Sequence, residues 1–319
     1  MKAVPVAAVV CLLLAVANAP ATLKARETFN DKVIWRDPGP IAARDLTWGM
    51  GSPGRAPKAP FTFVSEDTSG SKPKILVKDA AGAPWRIKLA TLDATRNEVH
   101  AEVAAGRLVW AIGYFTDEHY FVPEGRIEGA RDLKRAAAVV GPDGSFRTAC
   151  FERRDPEFEV QAEWDLAKND FAGTRELSGL QIMMLLIANW DTSARNGAIV
   201  RVRLPSGTVE DRHMLSDLGS SFGEARRSRW NLEHYAGVKF VTGIVRAKEV
   251  QFPIALASGP APMTVPLDHA RWFANLASQL TQPQVRQAFE VAGATPAEVD
   301  GFSSQVLRRI ADLRAAVEK

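Results

Sequence analysis

The sequence predicts an α+β chain of two lobes, a small β-rich one followed by a larger, mainly helical one. Three observations carry this reading. From Pro60 onward, short alternating runs are separated by turn residues, the pattern of a β-meander. In the second half, Ile182-Met183-Met184-Leu185-Leu186-Ile187-Ala188 is apolar on every side, as the spine of a sizeable core is. Finally, three helical patterns close the chain. The last opens at Thr295-Pro296-Ala297-Glu298, a capping box with proline at the first helical position. At 319 residues, 46 % hydrophobic and 24 % charged, the chain is neither disordered nor a multi-span membrane protein.

Taken in order, the chain begins with Met1-Lys2, an apolar run over 4–17, and the small residues Ala17-Asn18-Ala19-Pro20-Ala21. This is the pattern of a signal peptide over 1–21, too short for a comfortable membrane span, and it predicts export to the periplasm or beyond. Its removal takes away Cys11 and leaves Cys150, which sits in a strand-like run and reads as a small buried hydrophobe. Residues 22–59 mix charge with Pro and Gly and read as an extended arm or linker. The β-rich lobe is expected over 60–127 and the helical lobe over 128–319.

Within the first lobe, strands are expected at Phe61-Thr62-Phe63-Val64, over 74–78, and at Trp85-Arg86-Ile87-Lys88-Leu89. Asn97 is expected to cap a helix running to about Ile112. Val99, Val103, Ala105, Val109, Trp110 and Ile112 form its apolar arc. Glu102 falls near the middle of that arc, where a carboxylate needs a cation. Lys88, Arg86 and Arg107 are the available partners. Glu98 lies in the first turn, where the helix dipole and water suit it. A further strand is expected over 114–122, with a hairpin about Gly141-Pro142-Asp143-Gly144. The closing helices are expected over 267–280 and 284–292, and from Thr295.

The most informative stretch is Asn189-Trp190-Asp191-Thr192-Ser193-Ala194-Arg195-Asn196, which leaves the apolar helix abruptly. Two strand-like runs follow, over 198–203 and 209–215, joined at Pro205-Ser206-Gly207 and ending in Ser216-Asp217-Leu218-Gly219. A turn centred between Ser206 and Gly207 sets Asn196 opposite Asp217. It thereby brings Asp191, Asn196 and Asp217 to one end of the hairpin. Three oxygen-bearing side chains there suit a hard cation such as Mg²⁺, or Mn²⁺.

Forty basic residues stand against 37 acidic ones, interspersed, so no stripe for a nucleic-acid backbone is evident. The five histidines lack metal-ligand spacing. Nucleophile elbow, Walker loop, dinucleotide fingerprint and Cys-x-x-Cys pair are all missing from the sequence.

Asp-x₄-Asn, a hairpin, then Asp-x-Gly, preceded by a strand lysine and a helix glutamate, resembles the atypical protein-kinase-like fold. This resemblance, to the HipA, spore-coat CotH and secretory casein-kinase types, is the more distant one and covers the motif positions only. Over 60 to the C-terminus the chain also resembles an uncharacterised family of exported bacterial proteins. That second likeness rests on Pro60-Phe61-Thr62-Phe63, on Trp85-Arg86-Ile87-Lys88-Leu89 and on Arg107-Leu108-Val109-Trp110-Ala111-Ile112-Gly113-Tyr114. It rests also on Gly173-Thr174-Arg175-Glu176-Leu177, Asn189-Trp190-Asp191 and Ser216-Asp217-Leu218-Gly219-Ser220-Ser221-Phe222-Gly223.

The resemblance implies phosphoryl transfer from a Mg²⁺-bound ATP or other nucleotide to a hydroxyl acceptor on a protein, glycan or small molecule. It implies Lys88 on phosphate, Glu102 paired with Lys88, Asp191 as the catalytic Asp, and Asn196 and Asp217 on the metal. The turn Glu66-Asp67-Thr68-Ser69-Gly70-Ser71-Lys72 stands where the phosphate-covering loop belongs, with Ser69, Gly70 and Ser71 toward the nucleotide. The sequence departs from the pattern in four places. Asn189-Trp190 replaces His-Arg, the turn has a single glycine, Leu218 replaces the metal-site aromatic, and no Ala-Pro-Glu closes the segment after Asp217. A binding module without turnover and a nucleotidyl transferase are the alternatives on the same fold.

Overall fold

In the computed structural model the described residues are 31–70, 72–90, 96–245, 248–253, 256 and 262–318. The expected signal segment 1–21 and Ser71 lie outside them.

The segment from Asp31 is folded against the body of the protein rather than strung out as a linker. β1 (Asp31–Val33) pairs with a later strand, and Ile41 and Leu46 are fully buried in the main core. Its backbone is tied to the C-terminal helices, where Gln284 Nε2 donates to the carbonyls of Ile41 and Arg44 at 2.7 and 2.8 Å.

Then come β2 (Phe61–Asp67), β3 (Lys74–Lys78), β4 (Pro84–Leu89), α1 (Arg96–Ala111), β5 (Phe115–Thr116), β6 (His119–Glu128) and β7 (Ser145–Arg153). Five of these strands close a barrel in the order β2-β3-β4-β7-β6. It is antiparallel except where β2 meets β6. The strand period of two sorts the side chains. Trp85, Ile87 and Leu89 of β4 point into the barrel with Phe61, Phe146 and Phe151. Arg86 and Lys88 therefore face the other way, toward α1. Because β7 fills the gap between β4 and β6, the β-rich part runs on to Arg153, past the boundary expected at Ile127. Asn97 lies inside α1, whose first described residue is Arg96, so it is not the cap.

The second part comprises β8 (Glu159–Glu163), α2 (Arg175–Leu186), β9 (Gly197–Arg203), β10 (Val209–Leu215), α3 (Leu232–Gly237), β11 (Gly243–Val245), β12 (Glu249–Phe252), β13 (Met263–Pro266), α4 (Leu267–Ala277), α5 (Gln282–Glu290) and α6 (Pro296–Val317). The central helix α2 is buried nearly all round, as its apolar sequence requires, and Thr174 caps it by accepting from Leu177 N. Both α5 and α6 open with capping boxes, at Thr281/Gln284 and Thr295/Glu298. β8, β9, β10 and β1 form a sheet that β5 joins alongside β10. Helix α1 belongs to the same continuous core as α2, α4, α5 and α6, so it joins the barrel to the helical body. Among the described residues, no helix is long and apolar enough to cross a membrane.

The β9–β10 register corrects the expected one by a single residue. Leu204 and Thr208 bracket a three-residue loop, Pro205-Ser206-Gly207. Gly207 sits at φ +86°, the left-handed position that three-residue hairpin loops demand. Gly197 consequently pairs with Leu215, and Asn196 stands opposite Ser216, whose N–H it accepts at 2.9 Å. Asn196 does not face Asp217 across the ladder. The two meet another way, around a cleft.

Candidate functional site

The catalytic-loop segment is aimed by the end of α2. Ala188 takes φ +53°, Asn189 N donates to Met184 O at 2.8 Å and Ala188 N to Leu185 O at 3.1 Å. This is a Schellman ending with alanine where glycine is usual. The last carbonyls of α2 would otherwise be orphaned in the core. Tyr235 donates its hydroxyl to Leu186 O at 2.7 Å. Arg309 of α6, fully buried, places Nη1 3.2 and 3.0 Å from the carbonyls of Leu185 and Leu186, and Nη2 2.7 Å from Tyr235 O. A cation at this helix end also complements the dipole. Arg309 is thus a structural anchor under the loop, and no local motif announces it.

The loop that follows is internally braced. Asn189 is buried and its Oδ1 accepts from Asp191 N at 3.1 Å. Ser193 Oγ donates to Asp191 Oδ1 at 3.0 Å, and Asn196 Nδ2 to Asp191 O at 2.8 Å. The second acidic loop is tied to the same helix end, since Phe222 N donates to Ile187 O at 2.7 Å. Asp191, Asn196 and Asp217 then line one small cleft, together with Asn189, Thr192 and Ser193. Asn196 Nδ2 is spent on the loop, which leaves its carbonyl oxygen for a cation.

From the barrel side, Lys88 Nζ lies 2.5 Å from Glu102 Oε1, and both side chains are largely buried. The rival partners are otherwise engaged. Arg86 forks onto Glu152 at 2.6–2.9 Å, and Arg107 donates to His119 O at 2.7 Å. Burial alone lowers the Lys88 pKa, but Asp217, Glu102 and Glu152 outweigh it and hold the ammonium well above its ordinary value. Burial works against Glu102 too, yet Lys88 and His119 keep its carboxyl well below the usual range.

Asp217 is exposed to solvent. The protein around it, with Glu102 and Glu152, nevertheless pushes its pKa up against the pull of Lys88 and of Gly219 N–H. The lysine of the barrel and the acid of the helical body are therefore within electrostatic reach of each other. Gly219 makes the approach possible, because a Cβ there would come within 3.3 Å of Glu98 Cβ on α1.

The polar turn between β2 and β3 contributes a residue that sequence reasoning passed over. Lys72 Nζ lies 3.3 Å from Glu98 Oε2, and Arg229 from the helical body grips the other oxygen of the same carboxylate. Burial and the nearby Arg229 lower the Lys72 pKa, while Asp217 raises it, so Lys72 lies within electrostatic reach of Asp217. Glu98 is held by two cations from two parts of the chain. Ser69 and Gly70 sit on the exposed side of the turn. Ser69 Oγ donates to Asp67 Oδ1 at 2.5 Å and accepts from Lys74 Nζ at 3.0 Å, and Arg135 binds the Gly70 carbonyl. Ser71 falls outside the described residues. Cys150, on β7 opposite Lys88, is fully buried and free, and burial pushes its thiol up.

Two sets of groups are thus brought near one another. Asp191, Asn196 and Asp217 line the cleft as oxygen donors suited to a hard divalent ion and a hydroxyl, and Lys88 and Lys72, which feel the charge of Asp217, are cations suited to phosphate oxygens.

No family model matches the chain, and no curated protein does. Among solved structures, the chain is similar to the Helicobacter pylori proinflammatory kinase CtkA, at 9% identity and a TM-score of 0.48, covering 82% of this chain and 99% of that one. It is similar to the Golgi casein kinase at 9% identity and a TM-score of 0.41, covering 83% and 74%. It is similar to HipA of the Shewanella oneidensis MR-1 toxin–antitoxin system at 15% identity and a TM-score of 0.39, covering 82% and 66%. The likeness concerns the arrangement of elements and carries over no residue role. The described residues form an α+β protein in which a five-stranded barrel is joined through α1 to a mainly helical body.

Proposed function

We propose that the chain is a kinase-like phosphotransferase that moves a phosphoryl group from a Mg²⁺-bound nucleotide to a hydroxyl acceptor. One observation carries this reading. Lys88, paired with Glu102 behind it, is electrostatically coupled to Asp217, and Asp217 shares a cleft with Asp191 and Asn196. Asn196 and Asp217 present the hard oxygen donors that Mg²⁺ prefers, and bound there the ion would neutralise charge on the phosphates. Lys88 would hold phosphate oxygens with an ammonium that stays protonated at any working pH. Glu102 would keep that ammonium from collapsing onto Asp217. Asp191, fixed by its own N–H and by Ser193, would orient the acceptor hydroxyl and take its proton. Most of the effect would come from positioning and preorganised charge.

The apolar run over 4–17 supports export as part of the same proposal. The occupied Ser69 hydroxyl and the single glycine of the turn favour a second reading, a nucleotide-binding module without turnover. Incubation with ATP labelled at the γ-phosphate, Mg²⁺ and a mixed acceptor pool tests the first. Transfer lost in Asp191→Asn supports it, and binding with no ATP consumption in either protein supports the second. Mass spectrometry of the product separates a phosphate from a nucleotide adduct.

A further inference from the structure

The glutamate that holds Lys88 has a second neighbour. His119 opens β6 opposite Glu152 on β7, and its side chain is wholly buried. Its Nε2 lies 3.3 Å from Glu102 Oε1, the oxygen that Lys88 also approaches. Yet neither ring nitrogen makes an aligned hydrogen bond, and a buried polar atom left so is disfavoured.

The surroundings keep the ring in this place. Helix α1 carries Gly106 one turn beyond Glu102, and a Cβ there would come within 3.3 Å of His119 Nδ1. Glycine is a poor residue for a helix interior, and here it leaves the imidazole its room. Arg107, one residue on, holds the carbonyl of His119 at 2.7 Å.

The neighbouring charges indicate what the ring is for. Glu102, His119 and Cys150 bring their donor atoms within 4.8 Å of one another, as do Asp117, His119 and Glu152. Glu152 already has Arg86 and Arg154, and Glu102 already has Lys88. With those cations in place, a further metal ion would be repelled, whereas a ring N–H donor fits.

We propose that His119 is a positioning residue for the Lys88–Glu102 pair, its Nε2–H donating to Glu102 Oε1 when Lys88 turns to a phosphate. This rests on the phosphotransferase reading. Once Lys88 shares its protons with nucleotide, the buried Glu102 carboxylate needs another donor to stay ionised and in place. The 3.3 Å contact is the loose form of that bond and shortens on nucleotide binding.

Two variants and one spectroscopic signature test this in the full chain. His119→Gln retains an N–H near the Nε2 position, and His119→Leu removes it. The KM for Mg·ATP is expected to rise on the order of tenfold or more in His119→Leu, with His119→Gln within about threefold of wild type. Equal KM values in wild type and a folded His119→Leu overturn the proposal. Independently of any turnover, ¹⁵N NMR of ring-labelled histidine is expected to show His119 protonated at Nε2, with that signal displaced in Glu102→Gln. A ring protonated only at Nδ1, or a signal indifferent to Glu102→Gln, overturns it as well. So does Zn²⁺ bound by the wild type and lost in His119→Leu. A wild type without transfer activity refutes the phosphotransferase reading, and the NMR result then decides the role of His119 alone.

Discussion

Replacing Glu102 by Gln preserves the size of the side chain and removes the charge that Lys88 meets at 2.5 Å. Breaking a buried ion pair costs about 3–5 kcal/mol, because the remaining charge is stranded. Here Lys88 keeps Asp217 and Glu152 as neighbours, so about 2–3 kcal/mol is expected near neutral pH. Urea unfolding monitored by tryptophan fluorescence reads this as a lower midpoint at unchanged slope. The pH dependence follows from the direction of the shift. Glu102 has its carboxyl depressed on folding, so its contribution is complete above the ordinary value of 4.5 and is lost as the pH falls toward the depressed one. Lys88 is raised, so its contribution is complete below its ordinary 10.5 and declines only above that. The gap between wild type and Glu102→Gln should therefore be level across neutral pH and close on acidification below 4.5. Equal stability at neutral pH, or a gap that widens in acid, refutes the pairing argument.

Three further substitutions probe the supports of the site. Arg309→Leu strips hydrogen bonds from the carbonyls of Leu185, Leu186, Tyr235 and Val238. Relief of the buried charge offsets part of this, and a net loss of about 3–4 kcal/mol is expected by denaturant unfolding. Ala188→Gly relieves a left-handed alanine at the end of α2 and should raise stability by about 0.5–1 kcal/mol, whereas a fall in the thermal midpoint counts against the helix-end reading. Asp117 is pushed up to about 6 by burial and by Glu152, so its ionisation opposes folding increasingly above the ordinary 3.8 and in full above about 6. Asp117→Asn should therefore stabilise by about 2–3 kcal/mol at pH 8 and by almost nothing below the ordinary value of 3.8. A gain that is the same at both pH values contradicts it.

What the sequence disclosed depended on range. Residues that signal through their own neighbours were legible. The all-round apolar α2, the Thr295 capping box, the period-two alternation that turned Lys88 away from the barrel core, and Glu102 on the apolar arc of α1 all follow from spacings of four residues or fewer. Long-range pairings were not legible. Nothing local ties Ile41 and Arg44 to Gln284, or sends Arg309 beneath the end of α2. The clasp of Lys72 and Arg229 on Glu98 joins three distant segments, so the sequence showed only three ordinary charges. The register slip at Gly207 shows a third limit. A two-residue and a three-residue loop fit the same Pro-Ser-Gly sequence, and only the left-handed glycine distinguishes them. Asp191, Asn196 and Asp217 still converge, because both acidic loops are fastened to the end of α2 as well as to each other through Ser216 N–H on Asn196 O.

On the proposed function, a metal-bound nucleotide sits with its phosphates near Lys88 and its metal at Asp217. Titration calorimetry of the full chain with ATP, with and without Mg²⁺, tests it most directly. Saturable binding is expected that requires Mg²⁺, is lost in Lys88→Met and Asp217→Asn, and survives in Asp191→Asn. Absence of binding at millimolar Mg·ATP, or binding indifferent to Lys88→Met and Asp217→Asn, contradicts it.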